Sequence, residues 1–431
     1  MIAKLKKAYN LYSLRNINLW IIFYFLVYLV LVIKLITIKE IDNNILSGLY
    51  SLGVSLYLLS RFVIAYFYEV DNKKMRVDYL PTISFGVPAK NEEDNIRETI
   101  LKMAKSDYPK NKFDIIAVND GSTDNTLQEM LVAKEIAARH GAVVKVIDWK
   151  ENRGKREGMA ECAKMSKKDL VIFVDSDSFV NQSTARNLVK YFSDPQVVAV
   201  AGQAYVTNEN KNYLTKMQSV RYYIAFKAYK AAEAMFNSVT CCSGCCSAYR
   251  RQAVMEVLAD WGQQRFLGIA CTYGDDRSLT NFLLRRGYKT LFAEEAICHT
   301  MVPDNFRQFM RQQLRWKKSW VRESLIASTF IWRRNIIMSL SFYLGFILPL
   351  AAPIIVLRAL VWYPYMTGLV PYYYLLGLML MSLIYGLYYY IHTRDRKWFY
   401  GVLFAVFYTL VLIWQLPWAI INIRDSRWGT R

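Results

Sequence analysis

The chain has 431 residues, a formal net charge of +20 and a hydrophobic content of 54%. Its length allows two or more domains. The positive charge fits either a nucleic-acid-binding protein or a membrane protein with basic cytoplasmic loops. DNA-binding proteins rarely carry apolar runs as long as those found here, so we expect a membrane protein and no nucleic-acid partner.

Two apolar segments lie near the N-terminus, at Leu19–Ile36 and Ile45–Tyr68. Each is long enough for a helix to cross a hydrocarbon core of about 30 Å, which takes roughly 20 residues. The first segment lacks a small-residue cleavage site and a second span follows it closely, so it does not fit a cleaved signal peptide. We predict a transmembrane hairpin over residues 1–70.

The middle of the chain, residues 71–332, contains short apolar runs that end in polar loops, such as "FDIIAVNDGSTDNT" and "DLVIFVDSDS". Helical patterns separate most of these runs, which is typical of an α/β domain with a largely parallel, buried sheet. Ligands bind beyond the C-terminal ends of such strands. The residues at those ends are Asn91, Asp120, Asp175 and Asp177.

Two motifs, "VNDGSTDNT" and "NRGKRE", have the composition of a nucleotide-binding site. Asp120–Gly121 would form a tight turn whose carboxylate can accept hydrogen bonds from a base or ribose. The segment "NRGKRE", which contains Lys155, has three cations around a glycine and fits a diphosphate contact. The alternatives are a helix N-cap at the first motif and a surface charge cluster at the second.

Asp175 and Asp177 follow the apolar strand Leu170–Val174. Their i, i+2 spacing in an extended chain points both carboxylates to the same side. Paired carboxylates repel each other unless a cation lies near them, and Mn²⁺ or Mg²⁺ prefers such oxygen ligands. A solvated loop or a helix cap is the alternative.

The segment Met217–Phe236 is amphipathic: Val220, Ile224, Ala228, Ala231 and Met235 fall on one face at helical spacing. A helix of this kind would dock the middle domain against the membrane helices. An ordinary core-facing helix explains the pattern equally well.

All seven cysteines lie in the middle domain, four of them in "CCSGCC". We expect reduced thiols, because the domain is predicted to be cytoplasmic. The C-x-x-C spacing raises the possibility of zinc, but no second pair follows at zinc-finger distance. A tight loop of small residues is the preferred interpretation.

Two more motifs complete the domain. In "GDDR", Asp275 or Asp276 could serve as a general base with Arg277 nearby, although an acidic helix N-terminus is the simpler interpretation of the motif alone. In "RQQLRWKKSW", Trp316 and Trp320 are i, i+4 on a helix and share a face. An interfacial aromatic belt with snorkelling cations is the alternative there.

Three further apolar segments follow within residues 333–431, at Ile336–Trp362, Gly368–Ile391 and Trp398–Ile421. Basic residues flank the first two spans and also lie in the loop "HTRDRK". Because cytoplasmic loops carry an excess of Lys and Arg, we predict a multi-pass protein of the cell membrane with a cytoplasmic middle domain. Five full crossings would put the basic tail on the opposite side. We therefore expect one C-terminal segment to be re-entrant or interfacial.

The order D-G, D-x-D, G-D-D and Q-x-x-R-W resembles that of the processive family-2 glycosyltransferases, and "RFLGIACTYGDDRSLTN", "RQQLRWKKSW" and "WGTR" are most similar to hyaluronan synthases. Chitin-oligosaccharide, chitin and cellulose synthases resemble the chain more distantly. The resemblance implies the nucleotide-sugar-binding fold called GT-A, inserted between N- and C-terminal transmembrane helices. The "CCSGCC" loop differs between these branches, so the sugar specificity stays open.

The resemblance also implies roles for the residues around the donor. Asp120 would contact the uridine and Lys155 the diphosphate of a UDP-sugar. Asp177 would be the direct ligand of Mn²⁺ or Mg²⁺, with Asp175 supporting it.

Further along the chain, the resemblance makes Asp276 the catalytic base. Arg315 would contact the pyrophosphate, while Gln312 and Trp316 would bind the terminal sugar of the nascent polysaccharide chain.

The tail "WGTR", with Trp428 and Arg431, would gate the donor site. The C-terminal bundle in the lipid bilayer would form a path for polymer export. Arg358, Gln415 and several tyrosines are the candidates to line that path.

Two functions follow from these expectations, and two others fit the motifs less well. The leading one is hyaluronan synthesis from UDP-N-acetylglucosamine and UDP-glucuronate, and its close alternative is a chitin-type synthase that uses UDP-N-acetylglucosamine alone. A non-processive transferase that loads a lipid carrier would usually lack Q-x-x-R-W. A non-enzymatic membrane-binding protein would have no reason to hold all four motifs in order.

Overall fold

The structure is a computed structural model that describes residues 2–40, 45–71 and 78–426. It begins with two long helices, α1 (Ile2–Glu40) and α2 (Ile45–Asp71). Within them, Ile17–Ile36 and Gly48–Tyr68 are long and apolar enough to cross a membrane, since 20 helical residues rise about 30 Å. The two predicted N-terminal spans are confirmed as helices of this kind.

The middle of the chain is built on an eight-stranded sheet and a short two-stranded ribbon. The strands are β1 (Ile83–Ala89), β2 (Phe113–Asp120), β3 (Val144–Trp149), β4 (Leu170–Phe173), β5 (Ser178–Val180), β6 (Val197–Val206), β7 (Ser247–Arg250), β8 (Arg265–Phe266), β9 (Ile269–Ala270) and β10 (Lys289–Thr300). The large sheet has the order β3-β2-β1-β4-β7-β6-β10-β5. The run β3-β2-β1-β4 is parallel, as predicted, but β7 and β5 run in the opposite direction and make the sheet mixed.

Nine helices of the described chain accompany the sheet. They are α3 (Ile96–Ala104), α4 (Thr126–Arg139), α5 (Lys155–Met165), α6 (Thr184–Val189), α7 (Tyr213–Ile224), α8 (Ala231–Ala234), α9 (Arg251–Gly262), α10 (Asp275–Arg285) and α11 (Phe306–Ser328). Every residue of β1, β2 and β4 is buried, which explains their continuously apolar sequences. Their C-terminal ends therefore deliver polar side chains to one edge of a rigid core.

The predicted amphipathic helix Met217–Phe236 is interrupted by a π-helical segment, Ala225–Lys230, between α7 and α8. Val220, Ile224 and Ala228 pack in an apolar cluster with membrane-spanning helices, as expected for a docking surface. Ala231 instead joins the core of the sheet domain, and Met235 is 40% exposed. The wider π turn shifts the helical register, so the predicted single face is divided between two environments.

Five helices form the C-terminal region: α12 (Ile336–Leu357), α13 (Tyr363–Thr367), α14 (Tyr372–Thr393), α15 (Trp398–Leu410) and α16 (Gln415–Ile421). A π-helical segment joins α12 to α13. The continuous helix Ile336–Thr367 and α14 are each long and apolar enough to cross a membrane, which brings the described chain to four such helices.

The last predicted span is a bent pair, in which α15 and α16 meet at 43°. Helix α15 has 13 residues, or about 20 Å, which is shorter than a hydrocarbon core. Just before α15, Lys397 forms an ion pair with Glu209 of the sheet domain. Just after α16, Asp425 forms one with Lys318. Both ends of the pair therefore contact the sheet domain, and its bend fits either a broken span or the re-entrant segment that the sequence predicts.

Candidate active site

One continuous cavity of about 1670 Å³ extends from the C-terminal ends of β1, β2 and β4 into the space between the membrane-spanning helices. Its wall contains all the predicted site residues that the structure describes: Asp120, Lys155, Asp175, Asp177, Asp276, Gln312, Arg315 and Trp316. Trp428 and Arg431 lie outside the described residues.

Asp120 anchors the loop that precedes α5. Its buried carboxylate accepts hydrogen bonds from the backbone N–H groups of Arg153, at 2.6 Å, and of Gly154, at 3.0 Å. Gly121 allows the two loops to approach, because a Cβ at this position would lie 2.5 Å from the backbone nitrogen of Asn152. The D-G motif therefore fixes the start of α5, and a carboxylate retains lone pairs for a ligand.

Lys155, the first residue of α5, forms an ion pair with the Oδ1 atom of Asp175. Asp177 lies two residues further on, where burial and the charge of Asp175 raise its pKa to about 7. Gly244 packs against this group, and a Cβ there would lie 2.8 Å from Asp175 Oδ1 and 3.1 Å from Lys155 Nζ. The "CCSGCC" loop thus forms one wall of the acidic site.

The two aspartates at the start of α10 have different environments. Asp275 is buried and accepts a hydrogen bond from Arg156 Nε at 2.8 Å. Asp276 faces the cavity and accepts hydrogen bonds from the backbone N–H of Arg277, at 2.8 Å, and from Cys241 Sγ, at 3.5 Å. Arg277 therefore contacts the Asp276 carboxylate through its backbone N–H and also acts on it through its charge.

Opposing effects determine the protonation of Asp276. Burial alone would raise its pKa, but the positive charge of Lys155 and the N–H and guanidinium of Arg277 hold the pKa below its ordinary value. The neighbouring Cys241 thiol has its pKa raised to about 12 by burial and by the Asp276 charge. At neutral pH the site therefore presents an ionised carboxylate beside a neutral thiol.

Helix α11 brings Gln312, Arg315 and Trp316 to the same cavity. The ring of Trp316 lies 6.3 Å from that of Tyr222 on α7, measured between centroids. Trp320 also lines the cavity, one turn further on, and packs against Phe346 of α12 at 5.5 Å. The tryptophans thus follow the cavity from the sheet domain towards the membrane-spanning helices.

Several cavity residues were not identified from the sequence. Arg221 and Lys230 lie on the polar side of Met217–Phe236 and Lys317 lies within "RQQLRWKKSW", but nothing in the sequence indicates that they face the cavity. Lys230 donates a hydrogen bond to the carbonyl oxygen of Cys241, at 2.7 Å, beside Asp276. Only the tertiary structure brings these cations to the cavity.

The expected lining of the membrane portion is partly wrong. Tyrosines do line it, at Tyr50, Tyr57, Tyr385 and Tyr408, but its described wall contains neither Arg358 nor Gln415. Gln415 instead donates a hydrogen bond to the carbonyl oxygen of Met310, at 3.0 Å, and so holds the start of α16 against α11.

The described end of the chain docks beside α10. Tyr273 donates a hydrogen bond to the carbonyl oxygen of Asp425, at 2.8 Å, and Thr272 donates one to that of Ser426. Lys318 lies 3.0 Å from the Asp425 carboxylate. These contacts bring the start of the tail to the loop that precedes Asp275 and Asp276.

The seven cysteines are free, and four of them surround the acidic site in the "CCSGCC" loop. Cys241 and Cys245 line the cavity, whereas Cys242 and Cys246 are buried in the core. Within the described residues, no three or more His, Cys, Asp or Glu side chains are grouped so as to hold a metal ion.

Comparison with known proteins identifies the family. The family model described as "Glycosyltransferase like family 2" matches residues 81–319, and the model described as "Chitin synthase" matches residues 269–431. An N-acetylglucosaminyltransferase from Azorhizobium caulinodans is 30% identical over 358 residues, which cover 81% of this chain and 87% of that protein. A hyaluronan synthase from Streptococcus pyogenes is 32% identical over 283 residues, or 65% of this chain and 66% of that one. The chain therefore belongs to the family-2 glycosyltransferases, as its motifs predicted.

The fold is also that of a known glycosyltransferase. A mannosyltransferase from Pyrobaculum calidifontis, solved in complex with GDP-mannose and Mn²⁺, matches 84% of this chain and 99% of its own with a TM-score of 0.56 and 19% identity. The predicted GT-A fold is thereby confirmed, together with helices at both ends that could span a membrane.

Proposed function

We propose that the chain is a processive, inverting glycosyltransferase that builds a β-linked, N-acetylglucosamine-containing polysaccharide from UDP-sugars, with hyaluronan as the leading product. The observation that carries this proposal is the continuity of the cavity. The candidate donor-binding residues, Asp276 and Trp316 share it with tyrosines of the membrane-spanning helices. A polymer extended at Trp316 would have a direct route into the membrane region.

The donor would bind at the ends of the parallel strands. Asp120 would accept hydrogen bonds from the uridine with the lone pairs that the α5 loop leaves free. Lys155 and Arg315 would contact the diphosphate; both line the cavity, and both lie close enough to Asp276 to interact electrostatically with it.

Asp177 and Asp175 would hold a divalent cation, Mn²⁺ or Mg²⁺, and the structure offers a suitable environment. Burial and the charge of Asp175 raise the pKa of Asp177, which indicates an excess of negative charge that a cation would balance. When bound, the ion would supply positive charge to the leaving diphosphate. The two carboxylates leave the remaining coordination positions to substrate oxygens and water.

Asp276 would act as the general base. The acceptor hydroxyl would attack C1 of the α-linked sugar, its proton would pass to the Asp276 carboxylate, and the C1–O bond to UDP would break with inversion to a β-linkage. The lowered pKa of Asp276 keeps the carboxylate ionised and ready to accept the proton. Lys155 and Arg315 would stabilise the negative charge that accumulates on UDP.

The acceptor chain would rest on Trp316, whose ring offers a flat apolar surface to the C–H face of a sugar, with Gln312 beside it. The tail, including Trp428 and Arg431, would close over the donor site, since the preceding residues Asp425 and Ser426 dock next to α10. We place the protein in the cell membrane with its catalytic domain cytoplasmic, because basic residues flank the spans on that side.

A second candidate is a chitin-type synthase that uses UDP-N-acetylglucosamine alone. It is favoured by the matching chitin synthase family model over residues 269–431 and by the N-acetylglucosaminyltransferase that shares 30% identity over 81% of this chain. The two candidates share every catalytic step and differ in the second donor.

The deciding experiment uses the purified full-length chain in detergent with Mn²⁺ or Mg²⁺. UDP release and polymer size are followed with UDP-N-acetylglucosamine alone, UDP-glucuronate alone, and both donors together. We expect polymer only with both donors, and we expect hyaluronidase to digest it. Polymer from UDP-N-acetylglucosamine alone would replace the leading candidate by the second. No UDP release with any donor would refute both.

A further inference from the structure

Two basic side chains line the cavity beside Trp316, where α7, α11 and α15 meet. The guanidinium carbon of Arg221 lies 5.9 Å from the Trp316 ring centroid and 5.4 Å from that of Phe404. The ammonium of Lys317 lies 5.5 Å from the ring centroid of Tyr408. All five side chains line the cavity, so the two cations border the proposed path of the acceptor.

No carboxylate of the described chain balances these two charges. Arg221 has no hydrogen bond or ion pair with a described residue, and its polar neighbours are tyrosines. Lys317 donates hydrogen bonds to two neutral oxygens, the carbonyl of Leu412 at 2.7 Å and the side-chain amide of Gln415 at 3.0 Å. Most carboxylates of the same cavity interact instead with Lys155, Arg315 and Arg277. Asp304, which also lines it, forms an ion pair with Lys211.

Arg221 and Lys317 are half-buried and lie close enough for the charge of Arg221 to act on Lys317, and two such cations without an anion are electrostatically unfavourable. Burial lowers the pKa of Arg221, and burial together with the charge of Arg221 lowers that of Lys317 to about 7. An anionic group that entered this part of the cavity would relieve the repulsion. Arginine is well suited to such a group, because its guanidinium can bind a carboxylate through two hydrogen bonds.

We propose that Arg221 and Lys317 form a binding site for the carboxylate of an acidic sugar in the growing chain, next to the sugar that rests on Trp316. This inference rests on the proposed function and makes it more specific. A polymer of N-acetylglucosamine alone carries no group that would use the two charges, whereas a polymer with uronate units places a carboxylate at regular intervals. The cation pair therefore favours an acidic product.

A purely structural role is the competing explanation. Arg221 could hold the Trp316 ring in place, and Lys317 could hold the break between α15 and α16 through Leu412 and Gln415. In that case, substitution would weaken the binding of neutral and acidic acceptors alike. The two explanations thus differ in their effect on selectivity.

The test compares two oligosaccharide series of equal length, one of N-acetylglucosamine and one alternating it with glucuronate. Their affinities are measured by titration calorimetry with the full chain in nanodiscs of neutral lipid, in the presence of UDP. We expect the wild type to bind the acidic series with a Kd at least about tenfold lower than that of the neutral series. A hydrogen bond between a carboxylate and a cation contributes enough free energy for this difference. In Arg221→Gln and in Lys317→Gln the preference should fall to within about twofold, with UDP affinity retained.

Lys216→Gln is the matched control. Lys216 lies on α7 like Arg221 and also faces an aromatic ring, that of Tyr400 at 5.4 Å, but it does not line the described wall of the cavity. This variant should keep the full preference for the acidic series. If Arg221→Gln does not fold, Arg221→Lys and Lys317→Gln test the same site.

Equal binding of both series by the wild type would overturn the proposal, as would a parallel loss of both in the variants. Inorganic phosphate at the same concentration should compete only weakly with the acidic oligosaccharide, and full competition would indicate a general anion site instead. Sugar transfer from each UDP-sugar is measured in the same preparation. Absence of transfer would refute the proposed function, whereas transfer without an acidic preference would refute the cation site alone.

Discussion

Asp275→Asn and Asp276→Asn should have different effects although the two residues are adjacent. The first should lower stability, and the second should lower turnover. Asp275 is 3% exposed, and its partner Arg156 is 6% exposed. Their contact at 2.8 Å ties α10 to α5, and Arg156 also donates a hydrogen bond to the carbonyl oxygen of Trp261 at 2.9 Å. Asp276 lines the cavity and has no comparable link to the core among the described residues.

The expected magnitudes follow from these contacts. Asp275→Asn leaves a buried guanidinium without its counter-charge, which costs about 3–5 kcal/mol. For a domain of this size that corresponds to a fall in Tm of about 6–20 °C. Asp276→Asn keeps an acceptor for the N–H of Arg277 and so disturbs the fold less. It removes the proposed base, and proton transfer of this kind contributes about 10²–10⁴ to the rate.

The assay combines thermal unfolding of the purified protein, UDP affinity and the rate of UDP release. We expect Asp276→Asn to unfold close to the wild-type temperature, to bind UDP within about twofold and to lose at least about 100-fold in turnover. We expect Asp275→Asn to be clearly destabilised, with whatever fraction folds retaining turnover. If Asp276→Asn kept most of its turnover, or if Asp275→Asn were as stable as wild type, the assignment of the two roles would be wrong.

Three further substitutions test the walls of the site. Gly244→Ala should reduce UDP-sugar turnover, because the new Cβ would lie 2.8 Å from Asp175 Oδ1. The control Gly262→Ala, whose Cβ would lie 3.8 Å from its nearest neighbour, should leave turnover unchanged. Equal turnover in the two variants would contradict the expected crowding at Asp175. Trp316→Ala should keep UDP affinity and shorten the polymer, as seen by gel filtration of the product, and a loss of nucleotide affinity would move this residue to the donor site. Asp425→Asn should weaken the docking of the tail, so that limited proteolysis near the C-terminus becomes faster and turnover falls, and unchanged proteolysis would contradict the importance of this ion pair.

Much of the fold could be predicted from the sequence, because its strongest signals are local. The first four apolar segments correspond to helices that could cross a membrane, and their length and composition were sufficient evidence. The polar residues after β2 and β4 lie together because parallel strands end at the same edge of a sheet. The reversal of β7 was not predictable, since β7 pairs with strands that are distant in sequence.

The candidate site was predictable where a motif follows a strand or lies on a regular helix. The cations were missed because their position depends on how α7 and α11 pack against α15. Arg221 and Lys227 both lie on the polar side of one segment, yet Arg221 faces the cavity and Lys227 forms an ion pair with Glu294 of β10. Arg221 precedes the π-helical segment Ala225–Lys230 and Lys227 lies within it, so the wider turn changes which side Lys227 faces.

The bent pair α15–α16 bears on the number of membrane crossings. Five full crossings would put the basic tail on the side opposite the middle domain. The described chain has four helices that could each cross a membrane, and an even number of crossings would return the chain to its starting side. The sheet domain holds both ends of α15–α16, which favours a re-entrant or interfacial segment over a fifth crossing. Hydropathy cannot distinguish this arrangement from a fifth crossing, since α15 is apolar on every side. Gln415 adds a polar contact between the pair and the sheet domain, because its side chain donates a hydrogen bond to the Met310 carbonyl of α11. The side-chain oxygen of Gln415 also accepts a hydrogen bond from Lys317, so the polar residue that interrupts the last apolar segment helps to hold a cation at the proposed path of the polymer.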